Sequence, residues 1–274
     1  MAFVQSEPVV IFPPSPRPLI GAHRGASEEA PENTLAAFDL AVEEGAELIE
    51  LDVHPSADGH LVVHHDFDLL RTAGSAVRVE DLDLSALQRL DIGAWKGPRY
   101  RGEHIPTLDT VLARYGQRVF LNVEIKVDTV SYAGIEDLVA NAIAAYGLSE
   151  RVVVSTFDLE TFLRLRRRNA AIRTSLLFEP PPAVPAAVSQ NESLAVALTF
   201  AARHGAVGLH SDYTAITRDV VDRATALGLG VLAWTVDDER EMARLAGLGV
   251  EAILSNRPRV LREQLLSFRS ASGA

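Results

Sequence analysis

The chain has 274 residues, of which 47% are hydrophobic and 23% are charged, a balance typical of a folded globular protein. Its 26 basic and 37 acidic residues give a net charge of −11, which argues against a nucleic-acid-binding protein, because such proteins need a basic surface. A small anionic ligand is compatible with this charge, since a bound cation can reverse it locally. Cysteine is absent, which excludes thiol nucleophiles, thiolate metal sites and disulfide scaffolds.

The sequence carries no signal for a membrane or for secretion. No stretch approaches the roughly 20 consecutive apolar residues that a membrane span needs. The amino terminus contains Glu7, lacks a basic start and is interrupted by several prolines, so it does not resemble a secretory signal. We therefore expect a cytoplasmic protein without stable membrane anchoring.

Short runs rich in β-branched residues alternate with amphipathic segments along the chain. They predict eight strands, at 19–23, 47–53, 119–126, 151–156, 173–178, 206–210, 230–235 and 250–255. The clearest predicted helices lie at 34–44, 108–115, 135–146, 158–168 and 218–227. Alternating strands and helices imply parallel strands with right-handed crossovers. Eight such units predict a (β/α)₈ TIM barrel, and an open doubly wound sheet is the alternative.

The connection between the second and third predicted strands is longer than one helix and two loops require. It predicts a small insertion at about 55–106, on the carboxyl face where the active sites of barrels lie. The strand–helix alternation resumes beyond it. We therefore expect a single domain over 1–274, with its core at about 19–265.

Charged side chains interrupt two neighbouring predicted strands at alternate positions. Glu50 and Asp52 lie two residues apart in the second strand, and Glu124 and Lys126 do so in the third. Side chains two apart on a strand share a face, so these groups should converge at the barrel mouth. Three converging carboxylates would repel one another unless a cation held them, which predicts a hard divalent cation with oxygen ligands. The alternative is an internal Glu–Lys ion pair or solvent-exposed charge at the strand ends.

Two histidines flank these carboxylates. His23 ends the first predicted strand, and His65 follows the short run after the second. A histidine pair beside a metal suits a reaction that takes one proton and gives another, as in phosphodiester cleavage. Arg24 and Lys126 could bind the non-bridging phosphate oxygens.

Several motifs resemble the glycerophosphodiester phosphodiesterase family. They are HRGASEEAPENT at 23–34, the Glu-x-Asp of Glu50 and Asp52, His65-Asp66 and the Glu-x-Lys of Glu124 and Lys126. Further similarity follows at 68–74, 102–108, 155–157, 233–238 and 249–258, so that it extends from Leu19 to about Leu265. Each motif is weak alone, but their ordered combination is highly specific.

The resemblance implies a (β/α)₈ barrel with an insertion after the second strand. It also implies hydrolysis of glycerophosphodiesters to glycerol 3-phosphate and an alcohol. His23 and His65 would act as general acid and base, in an order that the sequence leaves open. One Mg²⁺ or Ca²⁺ ion would be the cofactor, with ligands at positions matching Glu50, Asp52 and Glu124. The nucleophile could be water or the glycerol 2-hydroxyl of the substrate.

The family pattern also suggests roles for residues around this centre. Arg24 and Lys126 would contact phosphate, and Trp234 would form an aromatic wall of the substrate pocket. We further expect Asn33 to cap the helix that begins at Thr34, and Asp66 to orient His65.

Two positions depart from the family pattern. Asp237 stands where asparagine is frequent, and Ser255-Asn256 stands where Thr-Asp is frequent. Both are expected at the rim, where they would affect specificity for the alcohol. The alternative functions are a lysophospholipase D-type phosphodiesterase and a non-catalytic barrel that binds phosphate esters.

Overall fold

A computed structural model describes residues 11–127, 132–179 and 190–272. The strands are β1 (Leu19–His23), β2 (Leu48–Pro55), β3 (Leu61–Val63), β4 (Asp68–Leu69), β5 (Ser75–Arg78), β6 (Phe120–Ile125), β7 (Val152–Thr156), β8 (Arg173–Phe178), β9 (Gly208–Asp212), β10 (Gly230–Trp234) and β11 (Ala252–Ser255). The α-helices are α1 (Leu35–Glu43), α2 (Leu70–Ala73), α3 (Leu84–Leu87), α4 (Leu108–Tyr115), α5 (Ile135–Ala145), α6 (Leu159–Arg168), α7 (Gln190–Arg203), α8 (Arg218–Ala226), α9 (Glu239–Leu248) and α10 (Pro258–Ser272).

Eight parallel strands in the described part of the chain close into a barrel. Their order is β1-β2-β6-β7-β8-β9-β10-β11, and β11 pairs back with β1. The eight predicted strands are all present, and the predicted TIM barrel is confirmed. The alternative of an open sheet is wrong, because β1 pairs on both sides and leaves no edge.

The alternation of side chains along each strand separates an apolar outer layer from a polar interior. On β2, Ile49, Leu51 and Val53 pack outward with buried residues of α1, α4 and α5. The intervening Glu50 and Asp52 therefore face the barrel interior. The register places Glu50 opposite His23 and Asp52 opposite Glu124, which gathers charge at the carboxyl ends of three neighbouring strands.

The start of α1 differs from the prediction. Thr34, not Asn33, is the N-cap, and its hydroxyl accepts a hydrogen bond from the backbone N–H of Ala37. Asn33 is fully buried and has a left-handed backbone with φ of 58°. The prediction that Asn33 caps the helix is wrong, because Thr34 occupies the cap and the Asn33 side chain turns into the site.

A segment before β1 closes the bottom of the barrel, opposite the carboxyl ends of the strands. Ile11 and Phe12 are buried against the inward residues of several strands. Their backbone N–H groups donate to the Glu251 carboxylate at 2.9 and 3.3 Å. Burial raises the pKa of Glu251 to about 7 despite these two hydrogen bonds.

The connection between β2 and β6 forms the predicted insertion at the mouth. β3 pairs antiparallel with the end of β2, and β4 and β5 form a hairpin. The insertion has its own small apolar cluster, which consists of Val62, Leu69, Val79, Leu87, Ile92 and Ile105. This packing holds the segment after β3, which carries His65, over the barrel mouth. In the described part of the chain we find no helix with the length and apolar character of a membrane span.

Candidate active site

Three buried carboxylates meet at the carboxyl ends of β2 and β6. Glu50, Asp52 and Glu124 each offer one oxygen atom, and these three oxygens lie within 4.8 Å of one another. The side chains of Glu50 and Asp52 are almost completely inaccessible. Burial and the neighbouring charges of Asp52 and Glu124 raise the pKa of Glu50 well above its usual range.

Two basic residues partly balance this cluster. Lys126 Nζ lies 2.8 Å from Glu124 Oε1 and 3.5 Å from Asp52 Oδ1, and Arg24 Nε lies 3.4 Å from Asp52 Oδ2. Asn33 Nδ2 also donates to Asp52 Oδ2 at 2.8 Å. Burial alone would raise the pKa of Asp52, but Lys126 and Arg24 outweigh it and keep that carboxylate ionised.

The donor set fits a divalent cation. The ligands are carboxylate oxygens, which Mg²⁺ and Ca²⁺ prefer, and Asp52 Oδ1 is buried and accepts no hydrogen bond from the described residues. A cation bound among the three carboxylates would also relieve the mutual repulsion that raises the pKa of Glu50. Glu50, Asp52 and Glu124 could therefore hold a metal ion.

The turn after β1 directs Arg24 into this centre. Arg24 and Gly25 have left-handed backbones, with φ of 57° and 85°. The conformation is unfavourable for arginine by about 1 kcal/mol. It is maintained because the backbone N–H of Arg24 donates to Glu50 Oε2 at 3.0 Å. A Cβ atom at position 25 would come within 2.7 Å of Ala37, so only glycine fits there.

His65 is held both at its imidazole and at its backbone. Its Nδ1 lies 2.8 Å from Asp66 Oδ1, and its backbone carbonyl accepts a hydrogen bond from His54 Nε2 at 3.2 Å. Arg71 donates to the other oxygen of Asp66 at 2.7 Å. The hydrogen bond to His65, together with Arg71, keeps the pKa of Asp66 well below its usual range. The Asp66 carboxylate therefore lies where it can orient His65, as the sequence led us to expect.

Glu32 links the two sides of the mouth. It accepts a hydrogen bond from Arg24 at 2.9 Å and two from Arg71 at 2.8 Å each. The phosphate-binding candidate on the turn after β1 is therefore tied to the loop that carries His65. Sequence reasoning assigned no role to Arg71 or Glu32, although both lie within the motif segments 68–74 and 23–34.

The imidazole of His23 is also held through Nδ1. This atom lies 2.8 Å from Asn256 Oδ1, and Nε2 lies 3.9 Å from Glu50 Oε2. Burial and the neighbouring Arg24 lower the pKa of His23 to about 4. Asn256 and Asp237 were expected at the rim, but Asn256 contacts His23 directly and Asp237 holds Asn256.

One cavity joins most of the predicted site residues. Its volume is about 280 Å³, and its polar side includes His23, Arg24, Glu50, His65, Glu124 and Lys126. Its apolar lining residues are Phe157, Leu177, Trp234 and Leu254. Phe157 packs edge to face on Trp234, with ring centroids 5.7 Å apart. Trp234 therefore lines this cavity, whereas Asp52 is not among its lining residues.

Phe157, Leu177 and Asn122 line the cavity but were not among the predicted site residues. Phe157 belongs to the Ser-Thr-Phe motif after β7, which is the signal that could have identified it. Leu177 and Asn122 lie within strands that read as ordinary barrel strands. Leu177 and Asn122 reach the cavity because the barrel closes, and the local sequence pattern does not predict that contact.

A barrel with these elements at the carboxyl ends of its strands defines a class of enzyme. A metal-capable acidic cluster, two basic side chains and two tethered histidines suit hydrolysis of a phosphoric diester. The model of the glycerophosphoryl diester phosphodiesterase family matches residues 23–260. The chain therefore belongs to this family and is a phosphoric diester hydrolase, which confirms the predicted family and enzyme class.

Individual relatives agree with this assignment. The chain is 36% identical over 244 residues to the glycerophosphodiester phosphodiesterase of Caldanaerobacter subterraneus subsp. tengcongensis, covering 89% of this chain and 96% of the relative. It also resembles the crystal structure of a glycerophosphodiester phosphodiesterase from Agrobacterium tumefaciens, with 28% identity, a TM-score of 0.76 and coverage of 90% and 99%.

A further similar structure contains a bound product. It is that of an Oleispira antarctica phosphodiesterase in complex with sn-glycerol-3-phosphate. The identity is 30% and the TM-score is 0.74, with 90% of this chain and 96% of the other covered.

Proposed function

We propose that this protein hydrolyses glycerophosphodiesters to glycerol 3-phosphate and an alcohol, with His23 and His65 as its proton-transfer groups. The observation that carries the proposal is the shared cavity of these two histidines, each of which has its Nδ1 engaged by a neighbouring side chain. The product bound to the Oleispira antarctica relative supports glycerol 3-phosphate as the product here.

Arg24 and Lys126 would bind the phosphodiester. Both line the cavity, and both are positively charged groups whose partners are carboxylates. Burial alone would lower the pKa of Lys126, but Asp52 and Glu124 raise it, so that the ammonium stays charged. These two side chains would neutralise the non-bridging oxygens and the charge that develops on them during cleavage.

The two histidines would move the protons. One Nε2 takes the proton of the attacking hydroxyl as the new P–O bond forms, and the other Nε2 gives a proton to the alcohol oxygen as its bond to phosphorus breaks. Water or the glycerol 2-hydroxyl serves equally in this scheme. The second nucleophile yields a cyclic phosphate that water opens later.

Glu50, Asp52 and Glu124 would hold Mg²⁺ or Ca²⁺. When bound, the ion supplies positive charge beside the phosphate and lowers the barrier through electrostatic stabilisation. The apolar side of the cavity, including Phe157 and Trp234, would cover the carbon atoms of the substrate. This side excludes water from the reacting groups and strengthens their electrostatic interactions.

The test is product release from glycerophosphocholine and glycerophosphoethanolamine. The purified protein is treated with chelator, and Mg²⁺ or Ca²⁺ is then restored separately while ³¹P NMR follows glycerol 3-phosphate and any cyclic phosphate. We expect no product after chelation and product after restoration. If chelation left the release of glycerol 3-phosphate unchanged, the role of the acidic cluster would be contradicted. A folded protein that is inactive with both ions would contradict the proposed substrates.

Histidine variants test the proton-transfer roles. His23→Asn and His65→Asn should each lower kcat by about 100-fold or more. His60→Asn is the matched control, because its side chain is 54% exposed and contacts Asp58 away from the cavity. Wild-type kcat in either active-site variant would refute that assignment.

A further inference from the structure

A chain of hydrogen bonds reaches His23 from the opposite end of the sequence. Asn256 follows β11, and its Oδ1 lies 2.8 Å from His23 Nδ1. Asp237 follows β10 and accepts two hydrogen bonds from Asn256, one from the backbone N–H at 2.8 Å and one from Nδ2 at 2.6 Å. A carboxylate, an amide and an imidazole are thus connected in sequence.

The carboxylate determines how the amide is oriented. Asp237 can only accept hydrogen bonds, and Ser255 Oγ also donates to its Oδ1 at 2.9 Å. Asn256 must therefore point Nδ2 at Asp237 and Oδ1 at His23. Because Oδ1 also can only accept, the hydrogen of a neutral His23 imidazole must be on Nδ1.

We infer that Asp237 and Asn256 are positioning residues that hold His23 as the Nδ1–H tautomer with Nε2 as its reactive nitrogen. The catalytic consequence rests on the proposed function, whereas the tautomer does not. In a neutral imidazole of this tautomer only Nε2 has a lone pair available for a proton. The network thereby selects the nitrogen through which His23 exchanges a proton with the substrate.

The two residues act through His23 and not on the substrate. They line a separate cavity of about 360 Å³, together with Ser27 and Lys96, and they are not part of the wall of the 280 Å³ cavity. Ser27 Oγ lies 2.7 Å from Asn256 Oδ1, which further restricts the amide. His23 itself lines both cavities, so Asp237 and Asn256 support the imidazole from outside the 280 Å³ cavity.

Exchanging the two side chains provides a sharp test. In Asn256→Asp alone, two carboxylates would face each other across the 2.6 Å contact, and their repulsion would displace the side chain that supports His23. In the double variant D237N/N256D, the new asparagine donates Nδ2 to the new aspartate and accepts from the backbone N–H of residue 256. The new aspartate accepts from His23 Nδ1, so every donor and acceptor is again paired.

We expect N256D to lower kcat by about 10- to 100-fold with KM changed less than about threefold, because the loss falls on the chemical step. The double variant should recover most of the lost kcat. Asn169→Asp is the matched control, since Asn169 Nδ2 donates to Asp137 Oδ1 at 3.1 Å in a similar pair away from the cavity. It should retain the wild-type kcat, and circular dichroism verifies the fold of each variant.

A spectroscopic measurement tests the tautomer without any substrate. Long-range ¹H–¹⁵N correlation of the ¹⁵N-histidine-labelled protein should show a protonated Nδ1 and an unprotonated Nε2 for neutral His23. An Nε2–H tautomer in the wild-type protein would overturn the inference. So would a double variant as inactive as N256D, or an N256D variant with wild-type kcat. A protein without diesterase activity that retains the Nδ1–H pattern would refute the proposed function and leave the tautomer intact.

Discussion

Replacing Asp66 by asparagine should impair catalysis through His65 without disturbing the fold. Asp66 Oδ1 lies 2.8 Å from His65 Nδ1, and Arg71 fixes the second oxygen of Asp66 at 2.7 Å. The amide of the D66N variant could still contact the ring, but it would lack the carboxylate charge that strengthens the hydrogen bond to Nδ1. If His65 transfers a proton as proposed, this hydrogen bond orients the ring during the reaction.

The size of the effect follows from the strength and exposure of this hydrogen bond. A hydrogen bond to a charged group contributes about 1.5–3 kcal/mol, which corresponds to about 10- to 150-fold in rate. The Asp66 side chain is 25% exposed, so that solvent screens part of the interaction. We therefore expect D66N to lower kcat by about 10- to 30-fold, near the low end of this range.

Steady-state kinetics at saturating substrate and cation measure this effect. Asp68→Asn is the matched control, because Asp68 begins β4 two residues after Asp66 and accepts from the backbone N–H of Leu70 at 2.9 Å without a hydrogen bond to His65. We expect the control to retain the wild-type kcat. A D66N variant whose kcat lies within about twofold of the wild-type value would contradict this prediction, and so would equal losses of kcat in D66N and D68N.

Three further predictions concern the metal cluster and the barrel bottom. Glu124→Gln should weaken Ca²⁺ binding by about tenfold or more, because it removes one of the three carboxylates proposed as ligands. Isothermal titration calorimetry measures the affinity, and an unchanged affinity would contradict the assignment. Because burial raises the pKa of Glu251 from 4.5 to about 7, wild-type stability should fall as pH rises through this interval. Urea denaturation should show E251Q more stable than wild type at pH 8, on the order of 2 kcal/mol, with the difference absent at pH 4. Phe12→Ala should lower the free energy of unfolding by about 3 kcal/mol and leave kcat unchanged, since Phe12 is buried against Phe120 at the end of the barrel opposite the site. A loss of kcat would contradict the separation of the barrel bottom from the active site.

Much of the barrel could be predicted from local sequence pattern. The predicted strands at 19–23 and 173–178 coincide with β1 and β8, and the other boundaries shift by one or two residues. The period of two in the second strand sufficed to place Glu50 and Asp52 on one face, because it depends only on strand geometry. The order of the motifs then identified the family, which the matching family model confirms.

The cap of α1 shows where local reasoning fails. Asn33 and Thr34 are both good caps, and the choice between them depends on which side chain has a better partner elsewhere. Asn33 finds that partner in Asp52, 19 residues away on the neighbouring strand. Propensity alone contains no information about such a contact.

The two catalytic candidates differ in how far the sequence predicts the contacts that support them. His65 and Asp66 are adjacent in sequence, so their pairing could be expected from the chain alone. Asn256 lies 233 residues from His23 and reaches it only because β11 closes the barrel against β1. The sequence by itself determined which residue types are available and which face of a strand they occupy. Barrel closure decided which of them meet, because contacts between distant segments depend on the packing of the whole chain and not on local periodicity.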